Sequence, residues 1–172
     1  MKSYQPTPTQ WMPIPTPDGE FTARYSSRGL CGLEFPLVRN QRKKGAVTAR
    51  PTALVRRWHA ATSKALRLAL AGRPLKALPP IDLSSGTEFQ QRVWHTLRKI
   101  PRGRTWSYAQ VAQAIADPKA VRAVGGACGA NPIPVFVPCH RVVAANGGLG
   151  GFSSGLNWKR TLLRREGVTL PD

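Results

Sequence analysis

Apolar and polar positions alternate in two short stretches near the start of the chain, residues 20–26 and 30–35. Asp18-Gly19 precedes the first stretch and Arg28-Gly29 separates the two, a pattern that predicts a β-hairpin. Ahead of it, Pro6, Pro8, Pro13, Pro15 and Pro17 mark residues 1–17 as an extended tail or a strand lead-in. The period then changes. Residues 51–71 place Leu54, Val55, Trp58, Ala61, Ala65, Leu66, Leu68 and Ala69 along the apolar side of a helix. The proline-interrupted stretch 74–80 ends this half, and a boundary is expected near residue 85, between lobes 1–85 and 86–172.

Beyond it, Thr87 is placed to cap a helix over residues 88–100 with Phe89, Val93, Trp94, Leu97 and Ile100 at core spacing. Ser107 can cap a second helix carrying Tyr108, Val111, Ala112 and Ile115. Asp117-Pro118 opens a third, which carries Ala120, Val121, Ala123, Val124 and Ala127. Two short helices across a tight turn form a helix-turn-helix pattern, although any α-hairpin would share it. Val135, Phe136 and Val137 predict a short strand or buried extended segment, leading into Cys139. A Gly-rich loop over residues 146–155 and a last helix over 157–165 complete the chain.

With 41% hydrophobic and 20% charged residues, the 172-residue chain can bury a core and is not disordered by composition. The 26 Lys and Arg exceed the 8 Asp and Glu by 18 charges, and Arg outnumbers Lys 18 to 8. Nucleic acid best explains that excess; a ribosome-like structural role, an anionic membrane surface or a solvated basic face are the alternatives. Residues 1–86 contribute +10 and residues 87–172 contribute +8, and the stretch from Phe35 through Ile81 holds eleven bases and no acid. No run approaches the roughly 18 apolar residues of a membrane span, and the N-terminus lacks the apolar stretch of a secretory signal. A cytoplasmic protein is expected, nuclear in a eukaryote, with no membrane association.

Cys31, Cys128 and Cys139 are an odd number without a CxxC pair, so no disulfide framework, metal site or cofactor is expected. Cys139 is followed directly by His140 and Arg141. The triplet reads equally as an activated nucleophile or as a buried structural thiol beside a surface histidine. Neighbours on a strand point to opposite faces, so His140 serves Cys139 only if the chain turns there or a water relays the proton.

Pro138-Cys139-His140-Arg141-Val142-Val143, preceded by Arg122-Ala123-Val124-Gly125-Gly126-Ala127 and Asn131-Pro132-Ile133-Pro134, resembles the active-site region of the O6-alkylguanine-DNA alkyltransferases. These are the methylated-DNA–protein-cysteine methyltransferases. The resemblance runs from Phe89 to Gly167 and includes Trp106-Ser107-Tyr108 and Leu162-Leu163-Arg164-Arg165-Glu166-Gly167. The first half resembles the family only loosely. The fold this implies is mixed α/β (α+β). A ribonuclease-H-like N-terminal lobe with a small sheet would precede a mostly helical, winged-helix-like lobe bearing the helix-turn-helix.

The resemblance implies suicide repair: Cys139 takes an alkyl group from O6-alkylguanine in double-stranded DNA, or from O4-alkylthymine, and is consumed. His140 would act as its base through water, and Glu166 would polarise His140; an ordinary surface acid is the other reading of Glu166. Tyr108 would assist the leaving guanine, or merely edge the core. Asn131 would tie the helix-turn-helix to the cysteine segment, or cap a helix. Arg122 would fill the gap left by a flipped base, with Ala120, Val121, Ala123 and Gly125 in the minor groove; a helix-packing seam is the alternative. Tyr108, Val142, Phe152 and Ser153 would line the base pocket, where Phe152 replaces a common family tyrosine. Arg141 is read as a packing or ion-pairing residue, and Cys128 as packing with some sensitivity to oxidation. A monomer is expected. Competing classes are a non-catalytic lesion binder, a helix-turn-helix regulator and a cysteine hydrolase.

Overall fold

The computed structural model describes residues 9–36 and 50–169. Pro6, Pro8, Arg39, Arg42, Lys43 and Lys44 lie outside the described residues. The hairpin expected from alternation is present as β2 (Gly19–Ser26) and β3 (Gly29–Glu34). It carries an additional strand, β1 (Gln10–Thr16), paired antiparallel to β2 in the order β1-β2-β3. The strand lead-in is therefore itself a strand. Pro13 and Pro15 are tolerated because β1 is an edge, where a residue without an N–H removes no inner ladder bond. Both face outward while Ile14 between them is buried.

The other side of β3 meets residues 80–82: Leu30 N–H donates to the Pro80 carbonyl at 2.8 Å, and Asp82 N–H to the Leu30 carbonyl at 2.8 Å. Gly29, at φ 146°, is required there, since a Cβ would stand 2.1 Å from the Pro80 oxygen. Helix α1 (Ala53–Leu70) starts at Thr52, whose side chain accepts from Val55 N–H, and buries Val55, Thr62, Ala65, Leu66 and Leu70. Leu54, expected on the apolar side, is 52% exposed, because it sits about 100° around the helix from Val55.

The second half is helical. Helix α2 (Glu88–Leu97) begins with a complete capping box between Thr87 and Gln90 and ends before Ile100, which is buried in the following turn. Ser107 and Gln110 form the same device at α3 (Tyr108–Ala114). Helix α4 (Val121–Gly129) starts later than Asp117-Pro118 suggested: residues 117–120 close a turn, with Ala120 N–H donating to the Asp117 carbonyl, and Ala120 is the cap rather than a helical residue. The segment 135–137 forms no ladder strand. Val137 N–H turns back to the Ile133 carbonyl at 2.9 Å, and Val135 has φ 78°. A two-stranded parallel pair, β4 (Trp106–Ser107) with β5 (Val142–Val143), and helix α5 (Leu156–Arg165) complete the mixed α/β fold.

One apolar core runs through both halves, from Ile14, Phe21 and Leu30 to Val93, Trp94, Val124 and Leu162. Trp94 is its largest member and donates its indole N–H to the Ala127 carbonyl at 2.8 Å, fastening α2 to α4. Leu33 N–H donates to the Pro132 carbonyl, which fastens β3 to the segment after α4. Asp18 accepts both Arg165 guanidinium bonds at 2.7 and 2.8 Å, joining the first turn of the sheet to the end of α5.

Trp94→Ala is expected to lower the unfolding free energy by about 3–5 kcal/mol, through cavity formation in the core. Thr87→Ala, which removes only a cap, should lower it by about 1 kcal/mol. Urea titrations of both variants check the ordering; equal losses would contradict this division between core and cap.

Candidate active site

Pro138 leads into a 3₁₀ turn, Cys139–Arg141, in which Arg141 N–H donates to the Pro138 carbonyl at 3.0 Å. The chain thus turns at Cys139, and its direct neighbour is not placed by strand alternation. Cys139 is 4% exposed. Its Sγ accepts a hydrogen bond from Asn131 Nδ2 at 3.1 Å. Asn131 Nδ2 also donates to the Val137 carbonyl at 2.7 Å, while its Oδ1 accepts from Ile133 N–H at 3.0 Å. Ala130, not Asn131, is the C-cap of α4.

His140 is buried, with Nε2 2.9 Å from Glu166 Oε1. Arg141 grips the same carboxylate with two parallel bonds, Nε to Oε2 and Nη2 to Oε1, each 2.9 Å, and anchors its third nitrogen on the Ile100 carbonyl at 2.7 Å. Burial raises the Glu166 pKa, but the bonds from His140 and Arg141 overcome it and hold the carboxyl at about 2. An ionised carboxylate can only accept, so His140 Nε2 carries the proton. Burial holds the His140 pKa below its ordinary value, so the ring is neutral and Nδ1 keeps its lone pair. That Nδ1 is buried and has no protein partner among the described residues.

Burial raises the Cys139 pKa, opposed by the Asn131 bond and the Lys159 charge. The resting thiol is therefore protonated, and a nucleophile must be generated by proton removal. Cys139 lies in a cavity of about 90 Å³ together with Tyr108, Gly125, Cys128, Gly129, Gly151 and Phe152. Tyr108, the first residue of α3, has its pKa raised by burial and stays a donor. It packs closely under the Gly-rich loop: at Gly150, φ 64°, a Cβ would meet the Tyr108 hydroxyl at 2.7 Å.

Of the residues expected around the base, Tyr108 and Phe152 share this cavity with Cys139, and so does Gly125, which was expected in the minor groove. Val142 and Ser153 are not among its lining residues. Pairing of β5 with Trp106 turns the Val142 side chain fully into the core, and Ser153 lies on a neighbouring groove of about 580 Å³ with Trp11, Arg24 and Asn131. Val121, Arg122 and Ala123 form an exposed face on the first turn of α4, whereas Ala120 is half-buried and Val124, Ala127 and Cys128 pack inward.

Sequence reading missed Lys159. It is fully buried, and its Nζ donates to the Val142 carbonyl at 2.6 Å and the Gly151 carbonyl at 3.1 Å, tying the Gly-rich loop to β5. Its spacing gave the signal: Lys159, Leu162, Leu163 and Glu166 recur at one helical face.

Helices α3 and α4, paired as a helix-turn-helix against a pocket that holds a hydrogen-bonded thiol, define the class as a DNA-binding module with an embedded cysteine. Residues 88–168 match the family model for the DNA-binding domain of 6-O-methylguanine DNA methyltransferase. The chain is 37% identical to the Mycobacterium tuberculosis OGT crystallised in complex with DNA, at a TM-score of 0.74, covering 91% of this chain and 92% of that one. It is 49% identical over 105 residues to a methylated-DNA–protein-cysteine methyltransferase of Methanosarcina acetivorans, covering 61% of this chain and 67% of the relative. Over 87 residues it is 55% identical to the bifunctional transcriptional activator/DNA repair enzyme Ada of Escherichia coli, 51% of this chain but only 24% of that longer protein. The chain belongs to the O6-methylguanine-DNA methyltransferase family.

The ionic cluster makes stability pH-dependent. The Glu166 pKa of about 2 lies below its ordinary value of 4.5, so its contribution is full above 4.5 and is lost as pH falls toward 2. Neutral His140, depressed from 6.5, erodes stability in the same direction once pH drops below that value. Chemical denaturation from pH 7 down to pH 3 should show a continuous loss, with a shallower slope in Glu166→Gln. An identical slope in both proteins would show that the cluster does not set acid stability.

Proposed function

We propose that the chain repairs alkylated DNA by moving the alkyl group of O6-alkylguanine, or of O4-alkylthymine, irreversibly to Cys139. The observation that carries this reading is the Cys139 Sγ in a cavity shared with Tyr108 and Phe152, hydrogen-bonded through Asn131 to the segment that leaves α4. Stacked duplex would keep the O6 substituent out of so enclosed a pocket, so the nucleotide is flipped out, at a cost of a few kcal/mol. The exposed face of Val121, Arg122 and Ala123, with Ala120 and Gly125 beside it, approaches the minor groove, and Arg122 fills the space the base leaves.

In the transfer, a water between Cys139 and the His140 Nδ1 lone pair carries the thiol proton to the imidazole. Glu166 stabilises the resulting imidazolium through Nε2–H. The thiolate forms a carbon–sulfur bond as the carbon–oxygen bond to guanine O6 breaks. Tyr108 donates to the departing base, and the product thioether ends the protein's working life. The protein acts as a monomer in the compartment that holds the DNA, the cytoplasm in a bacterium.

Incubation with duplex carrying O6-methylguanine should add one methylene to the tryptic peptide spanning residues 123–141, in a one-to-one reaction without turnover. Methylation elsewhere, or catalytic cycling, would overturn the reading. Cys139→Ser should abolish transfer and retain duplex binding; loss of both would point to a folding role instead. Glu166→Gln is expected to slow transfer by about 100-fold, the scale of one acid–base contribution. Arg122→Ala should slow repair of duplex more than reaction with free O6-benzylguanine, and equal slowing would remove Arg122 from the flipping step.

A further inference from the structure

The mechanism leaves one nucleophile in the pocket unused. Cys128, in the last turn of α4, is 8% exposed and lines the same cavity of about 90 Å³ as Cys139. The two segments are linked by a single residue. Asn131 donates its backbone N–H to the Cys128 carbonyl at 3.3 Å and its side-chain amide to the Cys139 sulfur at 3.1 Å. Cys31, by contrast, is buried in β3 and lines no cavity with another thiol among the described residues.

We propose that Cys128 is a resolving thiol, which captures an oxidised Cys139 as a reducible disulfide and so withdraws the acceptor reversibly during oxidative stress. The inference rests on the reading of Cys139 as the reactive thiol. The oxidant is a peroxide, with hydrogen peroxide as the simplest case. The Cys139 thiolate attacks one peroxide oxygen, the O–O bond breaks, and hydroxide leaves and takes up the proton that Cys139 gave up, producing a sulfenic acid and water. The Cys128 sulfur then attacks the sulfenic sulfur; the S–O bond breaks and the hydroxyl leaves as water with the Cys128 proton. Two thiols and one peroxide give one disulfide and two waters.

The environment assigns the order of these steps. Burial, reinforced by the neighbouring Cys139 charge, pushes the Cys128 thiol up to about 12, so it stays protonated. Burial raises the Cys139 thiol as well, but only Cys139 has the Asn131 bond to its sulfur and, in the proposed mechanism, a water path to the His140 Nδ1 lone pair, and it reacts first. A protein that spends its acceptor only once has much to lose from sulfinic or sulfonic acid, which thiols do not reverse. A disulfide across the cavity blocks both the thiol and the space beside it.

The arrangement of cleavage sites gives a direct test, since no Lys or Arg lies between Arg122 and Arg141, and both cysteines fall in one tryptic peptide. The full chain is treated with a small excess of hydrogen peroxide, blocked with N-ethylmaleimide, and digested without reductant. The peptide is expected to lose the mass of two hydrogens and take up no maleimide, while methyl transfer is lost and then regained with dithiothreitol. In Cys128→Ser the same dose should leave a dimedone-reactive Cys139 that proceeds to higher oxides, so that dithiothreitol restores little of that variant's own starting capacity. Cys31→Ser should respond as the wild type does.

Retention of two maleimide groups in the treated wild-type peptide would overturn the proposal. So would recovery in Cys128→Ser as complete as in the wild type. The wild-type peptide mass decides the matter alone if the variant does not fold. Methyl acceptance by the reduced wild-type protein is scored in parallel: acceptance without a disulfide sinks only the resolving thiol, and a disulfide without acceptance sinks only the repair reading.

Discussion

Asn131 is buried, and a buried side-chain amide must find partners for both its ends or destabilise the fold by about 1–3 kcal/mol. Its partners come from the chain that follows α4: the Ile133 amide, the Val137 carbonyl and the Cys139 sulfur. Satisfying that one side chain therefore fixes the path of the segment 131–139 and places the thiol at a set distance from α4. The turn at Cys139, the pairing of β5 with β4 and the position of His140 all follow from where this segment arrives. A register error here would leave the amide unpaired and displace the thiol together, so fold and site are specified by the same bonds.

Charge is handled with similar economy at the back of the site. Glu166 is held by two parallel bonds from the Arg141 guanidinium, which offset its burial and keep it an acceptor for His140. The same end of α5 is secured by Arg102, which donates to the carbonyls of Gly72 and Arg165, the exposed ends of α1 and α5. Arg165 in turn reaches Asp18 in the sheet. The carboxylate that orients the histidine thus sits at a junction where sheet, first helix and last helix meet.

Much of this was legible in the chain. The capped helices at Thr87 and Ser107 announced themselves, because a cap plus apolar spacing is local information. Strand β1 was obscured by prolines, whose tolerance depends on the strand lying at an edge, which only the tertiary arrangement decides. Val135 to Val137 looked strand-like by composition, yet among the described residues the segment forms only an isolated bridge, Pro134 with Val137, and no ladder. At the site, the ordered motif around Cys139 was readable, whereas Lys159 offered only its helical spacing as a sign of burial and the inward turn of Val142 offered none. Lys159 is spelled like a surface residue, and its partners are backbone carbonyls, which any sequence would supply.

The aromatic contacts across the two halves bear on what counts as a unit. Phe152 of the Gly-rich loop packs edge-on against Phe35 at 5.8 Å, and Trp158 of α5 meets both Phe35 at 4.9 Å and Phe21 at 5.6 Å. The wall of the thiol pocket is therefore braced from outside by the sheet. Severed before Glu88, the second half would keep every residue of the reactive cluster but present the outer faces of Phe152 and Trp158 to water. The segment that carries the chemistry is thus dependent for its shape on the half whose sequence is least like the family's.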